Sequence, residues 1–187
     1  MTEKDILDLI RNDKWMMNIL YTAENLNLPD WLIGAGFIRN KVWDYLHGYT
    51  KAWLDTNDID LVYFDPDGND ERADEKLSTE LKEKTGLNWE VVNEAYAHKW
   101  YASKPPPYAS SKDAVSKWPE TATCIGVKIE NQKLQLIAPY GIYDLVSLIV
   151  KPNPGFINNK DNVKKVVSER VKRKKWLEKW PQLKILL

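Results

Sequence analysis

The chain has 187 residues, with 27 Lys and Arg against 27 Asp and Glu, nine Trp, nine Tyr and one Cys. Zero formal net charge excludes a global field that would draw it onto nucleic acid or a membrane, the lone Cys124 excludes an intrachain disulfide, and the length suffices for one domain whose core needs no staples. The apolar runs Leu145-Val146 and Leu148-Ile149-Val150 are too short to span a bilayer, and the charged start MTEKDILDLI lacks a signal peptide's apolar segment, so a soluble cytoplasmic protein with no membrane partner is expected.

Thr2 and Asp5 make a capping-box pattern, with Ile6, Leu9 and Ile10 on one face of the helix that follows. Asp13 caps a second helix with Met16, Met17, Leu20, Ala23 and Leu26 inward, ended by Pro29. Trp31-Leu32-Ile33 reads as a strand and Gly34-Ala35-Gly36 as the turn after it. A helix from about Phe37 to Leu46 presents Ile38, Val42, Tyr45 and Leu46 to the core, with Gly48 at its C-terminal cap. Residues 49–57 read as a polar loop. Ile59 to Phe64 is apolar on both faces after Asp60, as in a central strand. Pro66-Asp67-Gly68 marks a turn. Residues 70–85 form a charged helix with Ala73, Leu77 and Leu81 on one side and Gly86 beyond its end. Asn88 to Val92 is a third strand, carrying Glu90.

Residues 94–101 predict a short helix containing His98, and Lys104 to Pro107 a proline-rich break. Ser110 or Ser111 caps a further short helix. Thr123–Lys128 and Leu134–Ile137 form a hairpin around Glu130-Asn131-Gln132. Gly141 to Val150 predicts an apolar helix and Pro152-Asn153-Pro154-Gly155 a linker. Asp161 caps a last helix with Val163, Val167 and Val171 inward and a basic outer face. The chain divides, within a single domain 1–187, into N-terminal helices (1–28), a core with the candidate site (31–92), an extension (93–152) and a C-terminal basic helix (156–187).

The chemistry concentrates between residues 34 and 90. Side chains at i and i+2 of a strand share a side, so Asp58 and Asp60 aim at one point. Carboxylates so placed share a divalent cation or a proton, and Glu90 on an adjacent strand can add a third. The glycines let the backbone approach a phosphate at the start of a helix. Arg39 lies in that helix's first turn, where a cation opposes the dipole, and this favours a phosphate ligand. The plainer alternatives are a turn end and a strand-edge charge for Asp58 and Asp60, and a tight strand-to-helix turn for the glycines. Residues 55–94 hold thirteen acidic against four basic residues, and residues 161–187 nine basic against three acidic. Both read as solvated faces, although an acidic middle suits a cation. Cys124 reads as a core thiol, and His47 and His98 as structural or capping residues. Tyr108, Ser110, Trp118, Glu120 and Thr121 make a polar-aromatic cluster that suits a base or acceptor, or equally core packing and capping.

Strand, glycine turn, helix and carboxylate-bearing strand, in that order, resemble the nucleotidyltransferase fold of the DNA polymerase beta superfamily. They are similar to the head domain of CCA-adding enzymes and poly(A) polymerases. Ala35-Gly36 stands in the paired-glycine place of that pattern and Asp58-Ile59-Asp60 in the Asp-x-Asp place. Arg39-Asn40 stands in the Arg-Asp place, with the charge lost at Asn40. NWEVVNEAYAHKWY, PPYASSKDAV, WPETATCIGVKI and APYGIYDLVSLIVKPNP extend the resemblance to a bacterial family of nucleotidyltransferase-like proteins whose substrate is unassigned. The resemblance implies an α+β fold, a small mixed sheet flanked by helices. It implies transfer of a nucleoside monophosphate from a nucleoside triphosphate such as ATP to a hydroxyl. It implies Mg2+ or Mn2+ on Asp58, Asp60 and Glu90, with Gly34, Ala35, Gly36, Arg39 and Asn40 at the nucleotide. The acceptor (small molecule, RNA or protein) and the oligomeric state are not specified. The alternatives are a non-catalytic nucleotide- or RNA-binding module on the same scaffold, and an interaction protein with a relict site. A tRNA-directed activity is the weaker expectation, because no Glu-Asp-x-x-Arg stretch follows Pro152.

Overall fold

The computed structural model describes residues 1–50, 58–68, 71–100, 106–156 and 160–187. Residues 51–57 of the expected loop 49–57, Lys104 and Pro105 of the proline break, and the side chain of Asp161 lie outside the described residues. In chain order the helices are α1 (Glu3–Arg11), α2 (Lys14–Glu24), α3 (Gly36–Leu46), α4 (Glu71–Thr85), α5 (Glu94–Ala97), α6 (Ser111–Val115), α7 (Tyr143–Val146), α8 (Lys160–Arg173) and α9 (Trp176–Lys179). The strands are β1 (Leu32–Gly34), β2 (Ile59–Tyr63), β3 (Trp89–Asn93), β4 (Gly126–Glu130), β5 (Lys133–Ile137), β6 (Ile149–Val150) and β7 (Lys184–Ile185).

The capping box of α1 closes in both directions between Thr2 and Asp5, and the helix buries Ile6 and Ile10. Asp13 accepts from the backbone N–H groups of Trp15 and Met16 and so starts α2. That helix stops at Glu24, before Pro29, and Ile19 joins Met16, Leu20 and Ala23 in the core.

Among the described residues five strands form the main sheet, in the order β3-β2-β1-β4-β5. β1 is antiparallel to β2 and β4, β4 is antiparallel to β5, and β2 is parallel to β3. Parallel neighbours need a crossover, which α4 supplies. The result is the expected mixed sheet of an α+β fold. Ile33, Leu61, Val91 and Val127 share a core with Ile6, Leu20, Ile38, Val42 and Leu81 of the covering helices. Leu32 and Val62 point the other way and meet Val115, Cys124 and Trp118. Only part of that second face is covered, and the cavity lies there.

Four expectations are corrected. Tyr45 is 58% exposed, and Trp43 takes its inward place on α3, fully buried against Trp176 and Trp180. Ala73 is exposed, because the inner stripe of α4 runs through Asp74, Leu77 and Leu81. Asp74 earns that position by accepting from the Tyr63 hydroxyl at 2.6 Å and the Asn93 backbone N–H at 2.7 Å. The apolar run 141–150 is not one helix. α7 ends at Val146, Leu148 takes φ 59°, and β-branched Ile149-Val150 pair in parallel with β7 from the far end of the chain. Residues 152–155 are not a free linker either. Asn153, 1% exposed, donates through Nδ2 to the carbonyls of Ser116 and Trp118, both at 2.7 Å. α8 begins at Lys160, one residue before the expected cap, and buries Val163, Val167 and Val171 as its spacing predicts.

Candidate active site

β2 and β3 pair with Asp60 directly opposite Glu90. In-register residues on neighbouring strands point to the same face. Asp58, two residues earlier, and Val62 and Val92, two residues later, share that face, and all five line a cavity of about 580 Å³. Asp58 is exposed at the rim and accepts from Asn88 Nδ2 at 2.8 Å. Glu90 is exposed and Asp60 partly buried. Glu94 opens α5 and lines the same cavity, but only 6% of its surface is exposed.

Crowding raises the pKa values of the inner pair. Burial, then the charge of Glu90, lifts Asp60 to about 6, against the opposing pull of Lys174 and Arg39. Burial, then Asp74, Asp60 and Glu90, lifts Glu94 to about 8. Like charges gathered in a partly dry site resist ionising together. Among the described residues no three acidic, His or Cys side chains come close enough to form a preformed metal cage. Magnesium does not need one, since it binds through one or two carboxylates and completes its shell with waters and substrate phosphates. Asp60 and Glu90 fit that donor set, being hard oxygens in register whose mutual repulsion a cation would relieve.

The turn after β1 divides its expected roles. Ala35 holds φ 50° and ψ −118°, a conformation costly for a residue with a Cβ, of the kind that persists where surrounding structure enforces it. Its N–H donates to the Ile125 carbonyl at 3.0 Å. Gly36 opens α3, and a Cβ there would meet nothing nearer than Asn40 Nδ2 at 3.5 Å. Gly36 and Ala35 line the cavity. Gly34 does not: a Cβ on it would collide with the Trp118 indole, so its missing side chain serves packing instead of phosphate approach.

Arg39 lines the cavity yet is 3% exposed. Its Nη1 donates to Thr123 Oγ1 and its Nη2 to Asn40 Oδ1, both at 2.9 Å. Its guanidinium lies 4.4 Å from the ring centre of Trp176 and 5.1 Å from that of Trp43. It is a fixed positive charge lining the cavity, and Thr123 and Asn40 are hydrogen-bonded side chains that orient it. The polar-aromatic cluster disperses. Tyr108 packs with Ala97 and Ala114, Ser110 caps α6, and Thr121 donates to Asp144 at 2.7 Å. Of that cluster, Trp118 reaches the cavity. Glu120, 0% exposed, receives Arg170 Nε at 2.6 Å and so fastens α8 beside the site.

Sequence reasoning missed the opposite wall, where Arg170, Arg173, Lys174 and Trp176 line the cavity. Arg170 and Lys174 are four residues apart, so the spacing carried the signal, hidden in a helix that reads as uniformly basic.

A family of proteins described as nucleotidyltransferases matches residues 21–185 of the chain. A protein whose NMR structure reveals a CCA-adding enzyme head domain is similar at 32% identity and a TM-score of 0.86, over 99% of this chain and 96% of that one. A CCA-adding enzyme in complex with CTP shares the fold at 15% identity and TM-score 0.58, and the Thermotoga maritima CCA-adding enzyme complexed with tRNA at 14% and 0.57. All of this chain aligns with those two, but it spans only 44% and 43% of their lengths. No protein of curated function matches the sequence.

Proposed function

The chain belongs to this nucleotidyltransferase family, and from that premise we propose that it transfers a nucleoside monophosphate from a nucleoside triphosphate to a hydroxyl acceptor, using Mg2+ or Mn2+ held by Asp60, Glu90 and Asp58. The observation that carries this reading is the register of Asp60 with Glu90 on parallel strands, facing one cavity with the Gly36 end of α3. When bound, the cation would neutralise charge on the phosphates and activate the acceptor hydroxyl. The protein's own part is positional. Asp58 sits at the rim, where a metal-laden triphosphate enters. The N–H groups of the first turn of α3 and the fixed charge of Arg39 meet the outer phosphates. The nucleotide-binding set is therefore Ala35, Gly36, Arg39 and, through its hold on Arg39, Asn40. CTP, seen with one relative of the same fold, is the first triphosphate to test alongside the other three.

A second reading, a nucleotide-binding module without turnover, draws support from Asn40 in the Arg-Asp place. One experiment separates them. Each magnesium triphosphate is titrated while the amides of Gly36 and Asp60 are followed, and α-labelled triphosphate is then supplied with candidate hydroxyl acceptors. Saturable shifts and label transfer are expected, with Asp60→Asn lowering transfer by about a hundredfold or more. Binding without transfer selects the second reading. Absence of any shift with all four triphosphates removes both.

A further inference from the structure

The cavity has a second wall that no motif announced. Lys174 follows α8 directly, and its N–H donates to the Arg170 carbonyl at 2.9 Å, which stacks it one turn beyond Arg170. Arg170 is anchored to buried Glu120. Lys174 is partly buried, lines the cavity, and makes no ion pair among the described residues. Of the exposed lysines nearby, Lys165 pairs with Glu169 and Lys175 with Glu178. Like charges at i and i+4 of a helical turn repel each other. Arg39, Arg173 and Lys117 add further positive groups to the same cavity.

We infer that Lys174, stacked on Arg170, is the outer clamp for the polyphosphate chain of the substrate, closing on it from α8 while Gly36 and Arg39 hold it from α3. The assignment rests on the nucleotidyltransferase reading and names a ligand that the superfamily pattern does not. Burial and the neighbouring charges of Arg39 and Arg170 lower the pKa of Lys174, while Asp60 and Asp58 raise it. The cavity that Lys174 lines carries cationic groups, Arg39 and Arg170, and acidic ones, Asp58, Asp60 and Glu90. A polyphosphate has the charge and length to bridge them, with cation-laden oxygens at the carboxylates and free oxygens at Lys174. A nucleic-acid backbone is the poorer fit, because these groups converge inside a cavity of about 580 Å³ instead of lying along an open stripe.

The test uses inorganic tripolyphosphate with magnesium, titrated into the full chain by calorimetry, with near-ultraviolet circular dichroism to check folding. Lys174→Gln should weaken binding tenfold or more, and Lys174→Arg, which keeps the charge, should stay within threefold of wild type. Lys172→Gln, exposed on the preceding α8 and outside the cavity, should stay within twofold. Wild-type affinity in Lys174→Gln, no binding by wild type, or equal losses in the Gln and Arg variants at 174 would overturn the clamp. Label transfer read in parallel keeps the two ideas apart. Asp60-dependent transfer with an unchanged triphosphate KM in Lys174→Gln leaves the enzyme standing and removes the clamp. Lys174-dependent tripolyphosphate binding without any transfer supports the clamp and removes the enzyme.

Discussion

Gly34 and Gly36 sit two residues apart and do opposite things. Gly34→Ala drives a methyl into the Trp118 indole and should destabilise the fold by about 1–3 kcal/mol, the scale of overpacking. Gly36→Ala has room and should change stability by less than about 1 kcal/mol, while crowding the phosphate approach. Urea unfolding together with triphosphate titration checks both; equal stabilities in the two variants would contradict these placements. Glu94 adds a pH signature. Its pKa is raised in the folded state from 4.5 to about 8, so the native protein keeps a proton that the unfolded chain has lost in that window. Stability from this group is complete below pH 4.5 and declines as pH rises to 8, by an amount on the order of a few kcal/mol. Asp60, also raised, adds a decline in the same direction up to about pH 6. Glu94→Gln should flatten the upper part of this slope in denaturation series run from pH 5 to 8. An unchanged slope would mean that Glu94 ionises normally. Asp60 and Glu90 were legible because strand alternation fixes where they point. Glu94 was not. Its burial depends on Asn93 capping α5 and on the packing of Ala97 with Tyr108, eleven residues further on.

Among the elements, those set by local rules were readable and those set by distant partners were not. The capping box of α1, the Asp13 cap of α2 and the strand alternation of β2 needed no tertiary knowledge. α7 and β6 did. Their residues suit a helix by composition, and only pairing with β7, more than thirty residues away, turns Ile149-Val150 into a strand. Asp74 on α4 belongs to the same class, a charge that sits inward because β2 and β3 offer it donors. The β4–β5 hairpin is a locally readable element with an imperfect turn. Asn131 and Gln132 both take positive φ, 50° and 62°, in a two-residue loop. The favoured partner after Asn in such a turn is Gly. Gln132 is exposed, so Gln132→Gly should stabilise the protein by about 0.4–1 kcal/mol, the strain removed exceeding the entropy added. A rise in the thermal midpoint checks this, and a fall would mean that the glutamine side chain contributes a contact that outweighs its strain.

At the scale of the molecule, the C-terminal segment is a wall bolted to the sheet's own helix. Trp176 and Trp180 meet Trp43 of α3 edge-on, with ring centres 5.4 and 5.1 Å away. Trp180 Nε1 donates to buried Asp44 at 2.7 Å, and the Tyr49 hydroxyl donates to the Lys179 carbonyl at 3.0 Å. Val163, Val167 and Val171 of α8 belong to the same continuous core as Ile33 and Leu61 of the sheet. A wall fastened through so many shared contacts should unfold with the sheet, in one transition. Trp180→Phe tests that coupling. The ring is largely kept, but Asp44 loses a donor in a site where water cannot replace it, at a cost of about 1–3 kcal/mol. Urea unfolding followed by tryptophan emission, to which the buried Trp43 and Trp176 contribute, and by far-ultraviolet circular dichroism should shift to lower midpoints together. Two separated transitions would show instead that α8 and α9 fold independently of the sheet. The cationic wall could then swing away from the carboxylates with the rest of the fold intact, and Lys174 would belong to a lid and not to a fixed clamp.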